Sequence, residues 1–264
     1  MALIAVTAAK GSPGVTTTAL AYTMTWTSPV VLAECDPAGG SVLAGFLRGQ
    51  LSADRGLVPL AVAELRSERL AVDFWRHLVD FDPPNQVRLL LPGVSEPAQA
   101  GSLEPIWGRL AGFFTSLESR HNYDVIADCG RVAVPHPPSP VLQAADLVLV
   151  VMRPTLPSIA ATAAAIRSLR VSQAEHGSVD SLGLVVVGTG AYSALEIAKQ
   201  LQTPVAVELP RDVRSATALT EGGAVRHSWQ LLRRTSESED RLRSLIARRR
   251  MPRSLVNQEV ARGR

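Results

Sequence analysis

Seven short runs of apolar residues recur along the chain, and each predicts a buried β-strand. The runs are rich in Val, Ile and Leu and do not alternate with polar residues. This pattern is typical of parallel strands that helices cover on both faces of a sheet. The runs comprise residues 3–7, 30–33, 87–91, 123–127, 147–152, 184–188 and 205–209.

Helical patterns separate the predicted strands. The clearest comprise residues 16–24, 103–119, 159–169 and 194–201. Strands that alternate with helices indicate an α/β fold, in which a doubly wound, mostly parallel sheet carries helices on both faces. We therefore expect one α/β domain over residues 1–224. The Pro-rich stretch at 134–140 predicts an extended surface loop.

Residues 225–264 predict a helical tail. Apolar residues at helical spacing predict one helix over 224–235. Ser236 stands three residues before Glu239, which matches a capping box and predicts the start of a second helix. That helix is expected to continue to the arginines at 248–250, whose charge suits a helix C-terminus.

Length and composition are consistent with this picture. The chain has 264 residues, 46% of them hydrophobic, which is enough for a sizeable core. No apolar run reaches about 18 residues, so no transmembrane helix is expected, and the first residues lack the basic segment of a secretory signal. Cys35 and Cys129 are too few for a disulfide framework or a zinc site. These features predict a cytoplasmic protein.

Charge is distributed unevenly along the chain. Residues 225–264 hold 11 Arg and four acidic residues, a net charge of +7, whereas residues 1–224 hold 16 basic and 20 acidic residues, a net charge of −4. A basic segment on a mildly acidic body indicates an interaction segment. The arginines expected to contact a surface are Arg233, Arg234, Arg241, Arg243, Arg248, Arg249 and Arg250.

The segment after the first predicted strand has the composition of a phosphate-binding loop. Residues 8–18 read Ala-Ala-Lys-Gly-Ser-Pro-Gly-Val-Thr-Thr-Thr and lead into an apolar helix. Glycines let the backbone approach phosphates closely, and a helix N-terminus favours an anion. The ordinary motif has a lysine directly before its hydroxyl residue. Here Val15 stands at that position, before Thr16.

Residues 10–17 resemble the deviant Walker A motif of the ParA/MinD family of P-loop ATPases. The resemblance implies that Lys10 is the signature lysine, which reaches the nucleotide of a partner subunit and contributes to catalysis. It also implies that Thr16 binds Mg²⁺, and that Val15 replaces the second lysine, which binds phosphates. The loop residues expected to hold the nucleotide are Gly11, Ser12, Gly14, Val15, Thr16 and Thr17.

Later motifs resemble the same family, in the same order. Asp36, after the second strand, matches the carboxylate that orients the attacking water. Asp128 lies in a segment similar to the family's Walker B motif and is expected to support the metal. Pro210 and Asp212 match a loop near the purine base. A Val-Gly pair ends the strand at 184–188, where the family has an Asn that contacts adenine, so the preference for adenine stays open.

Val15 bears directly on the expected chemistry. Phosphoryl transfer depends on positioning and on neutralisation of phosphate charge, and Val15 supplies no charge. Loss of one charge-assisted hydrogen bond costs about 1.5–3 kcal/mol, which is roughly a ten- to hundredfold loss of affinity. Three outcomes stay open: a weak ATPase, a protein that binds nucleotide without turnover, and a pseudo-ATPase with an empty pocket.

The resemblance implies a dimeric switch that uses ATP and Mg²⁺ to position or partition DNA or a protein complex. Family members act on a surface, which is DNA for ParA and membrane for MinD. Four interpretations of the tail stay open: its first helix docks on the domain and the arginines are simply solvated, or the tail contacts non-specific DNA, a protein partner or a membrane. Its short apolar face makes a weak membrane anchor. The alternative is a non-catalytic scaffold similar to the TadZ/CpaE-type relatives, which localise secretion or pilus machinery. Such a scaffold dimerises whether or not ATP is present.

Overall fold

Eight strands form one sheet in the computed structural model, which describes residues 2–11, 13–49, 54–176 and 181–250. The strands are β1 (Leu3–Ala8), β2 (Val30–Glu34), β3 (Val79–Asp80), β4 (Arg88–Leu91), β5 (Asp124–Arg131), β6 (Leu147–Met152), β7 (Leu182–Val187) and β8 (Val205–Leu209). Their order across the sheet is β3-β4-β2-β5-β1-β6-β7-β8. Neighbouring strands are parallel, except for the antiparallel pair β3 and β4. The seven predicted strands are all present, and β3 is an additional strand at the sheet edge.

Helices cover both faces of the sheet, which confirms the predicted α/β fold. They are α1 (Val15–Thr25), α2 (Leu57–Ser67), α3 (Leu70–Asp73), α4 (Trp107–His121), α5 (Ser139–Ala144), α6 (Leu156–Glu175), α7 (Ala194–Leu201), α8 (Val213–Glu221) and α9 (Gln230–Arg250). Val31 and Ala33 of β2 belong to the apolar core that α2 and α4–α7 cover. Val30 and Leu32 belong to the opposite core, which α1, α8 and α9 cover. None of the described helices is long and apolar enough to cross a membrane.

Two predicted boundaries differ from the structure beside prolines. The helix predicted over 103–119 becomes α-helical at Trp107, after the 3₁₀ segment Pro97–Ile106. Pro105 within that segment has no N–H to donate to a regular α-helix. The loop predicted over 134–140 ends at Ser139, where α5 begins, because a proline is tolerated in the first turn of a helix.

The described part of the predicted tail contains one continuous helix, α9 (Gln230–Arg250), so the predicted helix start at residue 224 and the predicted break at Ser236 are both wrong. Leu232 and Leu242, on either side of Ser236, are both fully buried in the core that α1 shares. Glu239 accepts hydrogen bonds from the Thr27 backbone N–H at 3.1 Å and from the Thr27 hydroxyl at 2.6 Å. Packing of one apolar face along α9 therefore outweighs the local capping signal. The predicted end of the tail falls in 251–264, outside the described residues.

Candidate functional site

The glycine loop connects β1 to α1 at the carboxyl edge of the sheet. Gly11 and Gly14 have φ values of +73° and +103°, in the left-handed region that favours glycine. Gly14 is the N-cap of α1, and its carbonyl accepts the Thr18 N–H at 2.8 Å. No side chain caps this helix among the described residues. Its first N–H groups are thus available to an anion. Ser12, predicted to bind nucleotide, lies outside the described residues.

Val15 is 8% exposed and belongs to the apolar core beneath the loop, together with Val6, Ala19 and Leu149. It also borders the cavity that the loop encloses. The position that carries a phosphate-binding lysine in ordinary P-loops is therefore built into the apolar packing under α1. Any positive charge for phosphates at this site has to come from another residue.

Thr16 and Asp128 meet beside the loop. Asp128 is buried in β5, and its carboxylate accepts hydrogen bonds from the Thr16 hydroxyl and, at 3.1 Å, from the Gly130 N–H. Burial raises the pKa of Asp128 to about 7, and the nearby Glu34 and Asp36 carboxylates add to this rise. A hydroxyl beside a carboxylate fits Mg²⁺, which prefers oxygen ligands and retains water and phosphate oxygens. Among the described residues, no cluster of three His, Cys, Asp or Glu side chains is arranged to hold a metal.

Asp36 lies at the carboxyl end of β2 and faces the same cavity. Its side chain accepts the Ala38 N–H at 2.8 Å. Gly130 lies directly against it, since a Cβ on Gly130 would be 2.1 Å from the Asp36 carboxyl carbon. The kink at Gly130 (φ +58°) therefore leaves the space that the Asp36 carboxylate occupies.

Replacing Gly130 with Ala is expected to lower the free energy of unfolding by about 1–3 kcal/mol, because the added Cβ collides with Asp36. Thermal unfolding of the purified variant measures this effect. Gly108→Ala in α4 is the matched control, because its Cβ meets nothing within 4 Å. Equal melting temperatures for both variants would contradict the contact.

Glu34 organises the loops around the cavity. Its buried carboxylate accepts backbone N–H groups from Ser41 at 2.7 Å, Val42 at 2.9 Å and Gly93 at 3.2 Å. Burial raises its pKa, while these three hydrogen bonds favour the ionised form. Glu34 thus joins the loop after β2 to the loop after β4. Among the described residues, Glu34 lines neither cavity beside the glycine loop.

Two cavities lie on either side of the glycine loop and share Pro13, Gly14, Thr17 and Thr220. The larger, of about 530 Å³, brings together most of the predicted loop residues. Its lining includes Gly11, Gly14, Val15, Thr16, Thr17, Asp36, Gly130 and Arg131. The smaller, of about 280 Å³, includes the predicted Pro210 and Asp212. The loop thus lies between two compartments, which suits an elongated ligand with a phosphate end and a base end.

Lys10 is exposed and lines neither of these two cavities in the part of the chain that the structure describes. The structure contains one chain, so the role of Lys10 across a dimer interface stays a prediction.

Asp212 makes hydrogen bonds that hold neighbouring helices in place. It accepts the Ser215 N–H at 3.1 Å and the Leu231 N–H at 3.2 Å, which join the starts of α8 and α9. Burial opposes ionisation of Asp212, but these hydrogen bonds and that of the Ser215 hydroxyl hold its pKa below its ordinary value.

Most of the tail arginines contact the body of the protein. Arg241 and Arg234 donate to the carbonyls of Val205 and Glu208 in β8, at 2.8 and 3.1 Å. Other contacts lie at the amino edge of the sheet, opposite the glycine loop. There Arg243 pairs with Asp124, Arg249 with the Leu182 carbonyl, and Arg250 with Glu118 and Asp146. Arg233 is paired more loosely with Glu237, at 3.6 Å. These bonds fix α9 to the sheet.

A glycine loop between the first strand and first helix, with acidic residues at the ends of the adjacent strands, defines a P-loop α/β protein. Comparison with solved structures identifies the fold more closely, because the matching structures include MinD proteins and a ParA family ATPase. The chain has the MinD/ParA fold, as the sequence resemblance implied.

Three of these solved structures illustrate the similarity. A ParA family ATPase from Chlorobium tepidum TLS has a TM-score of 0.68 and 16% identity, over 89% of this chain and 97% of that one. The septum site-determining protein MinD from Pyrococcus horikoshii OT3, complexed with Mg-ADP, has a TM-score of 0.68 and 11% identity, over 94% and 98%. A McdA–ATP complex from Cyanothece has a TM-score of 0.66 and 16% identity, over 90% and 95%. No family model and no curated protein matches the sequence.

Arg131 is the residue of this site that the sequence analysis missed. It ends β5, three residues after Asp128, and lines the larger cavity. The apolar run at 123–127 predicted an earlier end for this strand, so Arg131 was not placed at the sheet edge. Its proximity to the Walker B-like segment was the signal that could have identified it.

Proposed function

We propose that this chain is a ParA/MinD-like switch that binds Mg²⁺-ATP in the cleft around the glycine loop, hydrolyses it slowly and positions a cargo inside the cell. The observation that carries the proposal is the joint placement of the uncapped N-terminus of α1, the Thr16–Asp128 pair and Asp36 around one cavity. The N-terminus of α1 can hold phosphate, the Thr16–Asp128 pair can hold the metal, and Asp36 can orient water.

Each residue has a separate part in this proposal. The backbone N–H groups of the loop and of α1 hold phosphate oxygens. Thr16 and Asp128 hold Mg²⁺, which would neutralise phosphate charge when bound. Asp36 orients the attacking water. Lys10 reaches the nucleotide of a second subunit. Because Val15 supplies no charge, affinity and turnover are expected to be low.

Replacing Val15 with Lys should tighten Mg²⁺-ATP binding by roughly ten- to hundredfold, since it restores one charge-assisted hydrogen bond. The aliphatic stem can occupy the apolar packing of Val15 while the ammonium reaches the cavity. Calorimetric titration measures the change. Val15→Met adds length without charge and should not tighten binding. An unchanged affinity in Val15→Lys would mean that the loop does not approach phosphates.

The buried Val15 also favours a second candidate, a scaffold with this fold that does not bind nucleotide. Nucleotide-dependent dimerisation distinguishes the two functions. Light scattering after gel filtration should show a monomer without nucleotide and a dimer with Mg²⁺-ATP. EDTA should reverse the change.

Lys10→Ala should prevent dimerisation with Mg²⁺-ATP, whereas Lys199→Ala, which changes the other lysine of the chain, should not. Lys199 is exposed in α7 and lines neither cavity beside the loop among the described residues. A dimer that forms equally with and without ATP and Mg²⁺ would exclude the switch and support the scaffold.

A further inference from the structure

The phosphate end of the cleft is rich in acids. Glu34, Asp36 and Asp128 lie close enough together that the first two raise the pKa of the third. Val15 contributes no charge, and Lys10 does not line this cavity in the described part of the chain. A polyphosphate that enters here therefore needs positive charge in addition to that of Mg²⁺, because each phosphate adds negative charge near these carboxylates.

Arg131 is the one basic side chain among the described residues that line this cavity. Its position is set by the sheet. Arg131 ends β5, pairs in register with Ala8 at the end of β1, and is followed by Val132, whose N–H donates to the Ala8 carbonyl at 3.0 Å. The glycine loop begins directly after Ala8. Arg131 and the loop thus leave the carboxyl edge of the sheet side by side.

The Arg131 side chain is exposed, and the described residues offer it no hydrogen bond or ion pair. The tail arginines differ, since most of them are bonded to carbonyls or carboxylates of the body. The left-handed kink at Gly130 accommodates Asp36 and comes immediately before Arg131. Arg131 and Asp36 thus border the same cavity, one with a positive and one with a negative charge.

We propose that Arg131 supplies the phosphate-binding cation of this cleft, in place of the lysine that Val15 replaces. The proposal rests on the proposed function, in which the cleft takes a nucleoside polyphosphate. A guanidinium suits this role because it is always charged and donates two parallel hydrogen bonds to phosphate oxygens. Arg131 extends from β5 rather than from α1, so the positive charge comes from the strand that also carries Asp128. Arg131 should therefore bind the phosphates and leave the base unaffected.

Calorimetry with three probes, in the presence of Mg²⁺, tests this assignment. The probes are ATP, AMP and inorganic tripolyphosphate, titrated into the full chain. Arg131→Ala is expected to weaken binding of ATP and tripolyphosphate by roughly ten- to hundredfold, and binding of AMP by about twofold or less. Arg131→Lys should give intermediate affinities, because it retains the charge and loses the bidentate geometry. Val15→Lys combined with Arg131→Ala should restore ATP binding.

Arg120→Ala is the matched control, because Arg120 is an exposed arginine in the last turn of α4 and lines neither cavity beside the loop among the described residues. It should bind all three probes like the wild type. Since Arg131 is exposed, its variants should keep the wild-type melting temperature.

The outcomes separate the two proposals. If the wild type binds ATP and Arg131→Ala binds it equally, the assignment of Arg131 is wrong and the nucleotide function stands. If tripolyphosphate binds through Arg131 but ATP binds no more tightly than tripolyphosphate, the assignment stands and recognition of a nucleoside fails. If the wild type binds neither ATP nor tripolyphosphate, both proposals are overturned.

Discussion

Replacing Asp128 with Asn is expected to raise the free energy of unfolding at pH 8 and to flatten its dependence on pH. Burial raises the pKa of Asp128 from 3.8 to about 7. Between these values the folded protein keeps a proton that the unfolded chain has released. Wild-type stability therefore falls as the pH rises from about 4 to about 7 and stays low above that range. A shift of this size corresponds to a loss of up to about 4 kcal/mol, which the Asn variant avoids.

Urea denaturation at pH 5 and pH 8 measures this effect as the difference between wild type and variant, because other groups titrate equally in both. Asp54→Asn is the control, since Asp54 is exposed and outside the cavity. As a surface substitution, it should change the free energy of unfolding by only about 0.5 kcal/mol or less. If the free energy of unfolding changed equally between pH 5 and pH 8 in the wild type and in Asp128→Asn, Asp128 would already be ionised at pH 5, contrary to this account.

In the proposed function, the same carboxylate also links stability to metal binding. A carboxylate must be ionised to bind a metal, so Mg²⁺ binding at the proposed site would be favoured as the pH rises through the pKa of Asp128. Asp128→Asn should thus gain stability and lose Mg²⁺-dependent nucleotide binding. Such an exchange is typical of residues that are retained for function at a cost in stability.

Replacing Asp124 with Ala is expected to lower the free energy of unfolding by about 3–5 kcal/mol. The Asp124 carboxylate is fully buried at the amino edge of the sheet and accepts the Trp26 indole N–H at 2.7 Å and the Arg243 guanidinium at 3.2 Å. It also accepts the Ala2 N–H. The Arg243 guanidinium stacks on the Trp26 ring, 4.7 Å from its centroid. Removing the carboxylate leaves buried donors without a partner, which is strongly destabilising.

Equilibrium unfolding in denaturant measures this loss, and an exposed ion pair of α9 offers the control. Arg233 and Glu237 lie 3.6 Å apart, and their side chains are 66% and 53% exposed. Glu237→Ala should cost at most about 1 kcal/mol. Arg243→Ala should destabilise through the same network as Asp124→Ala, with the added loss of its contact with Trp26. Similar losses for Asp124→Ala and Glu237→Ala would show that α9 is not held at this point.

The strands could be predicted because burial on both faces leaves an unbroken apolar run. Features that depend on residues distant in sequence could not be predicted. The continuity of α9 through Ser236 depends on the packing of Leu232 and Leu242 under α1, far away in sequence. The short strand β3 has two residues and too little pattern to detect. Helices α2, α5 and α8 also escaped prediction, since prolines and short lengths obscure their periodicity.

The parts of the candidate site that lie in one segment of the sequence could be predicted. The parts that form where several segments meet could not. The glycine loop is contiguous, so Gly11, Gly14 and Thr16 could be assigned from local order. The role of Glu34 could not, because its three N–H donors come from two separate loops. The tail arginines look like a free basic surface in the sequence. In the structure their acidic and carbonyl partners come from distant strands and helices.

Calorimetric titration of ATP into the wild-type chain, with and without Mg²⁺, tests the central claim most directly. The account predicts binding that requires Mg²⁺ and is weaker than in the Val15→Lys variant, because the backbone cradle, Thr16 and Asp128 are present while the loop lysine is absent. No binding at millimolar ATP, in both the wild type and Val15→Lys, would contradict the claim that this cleft is a nucleotide site.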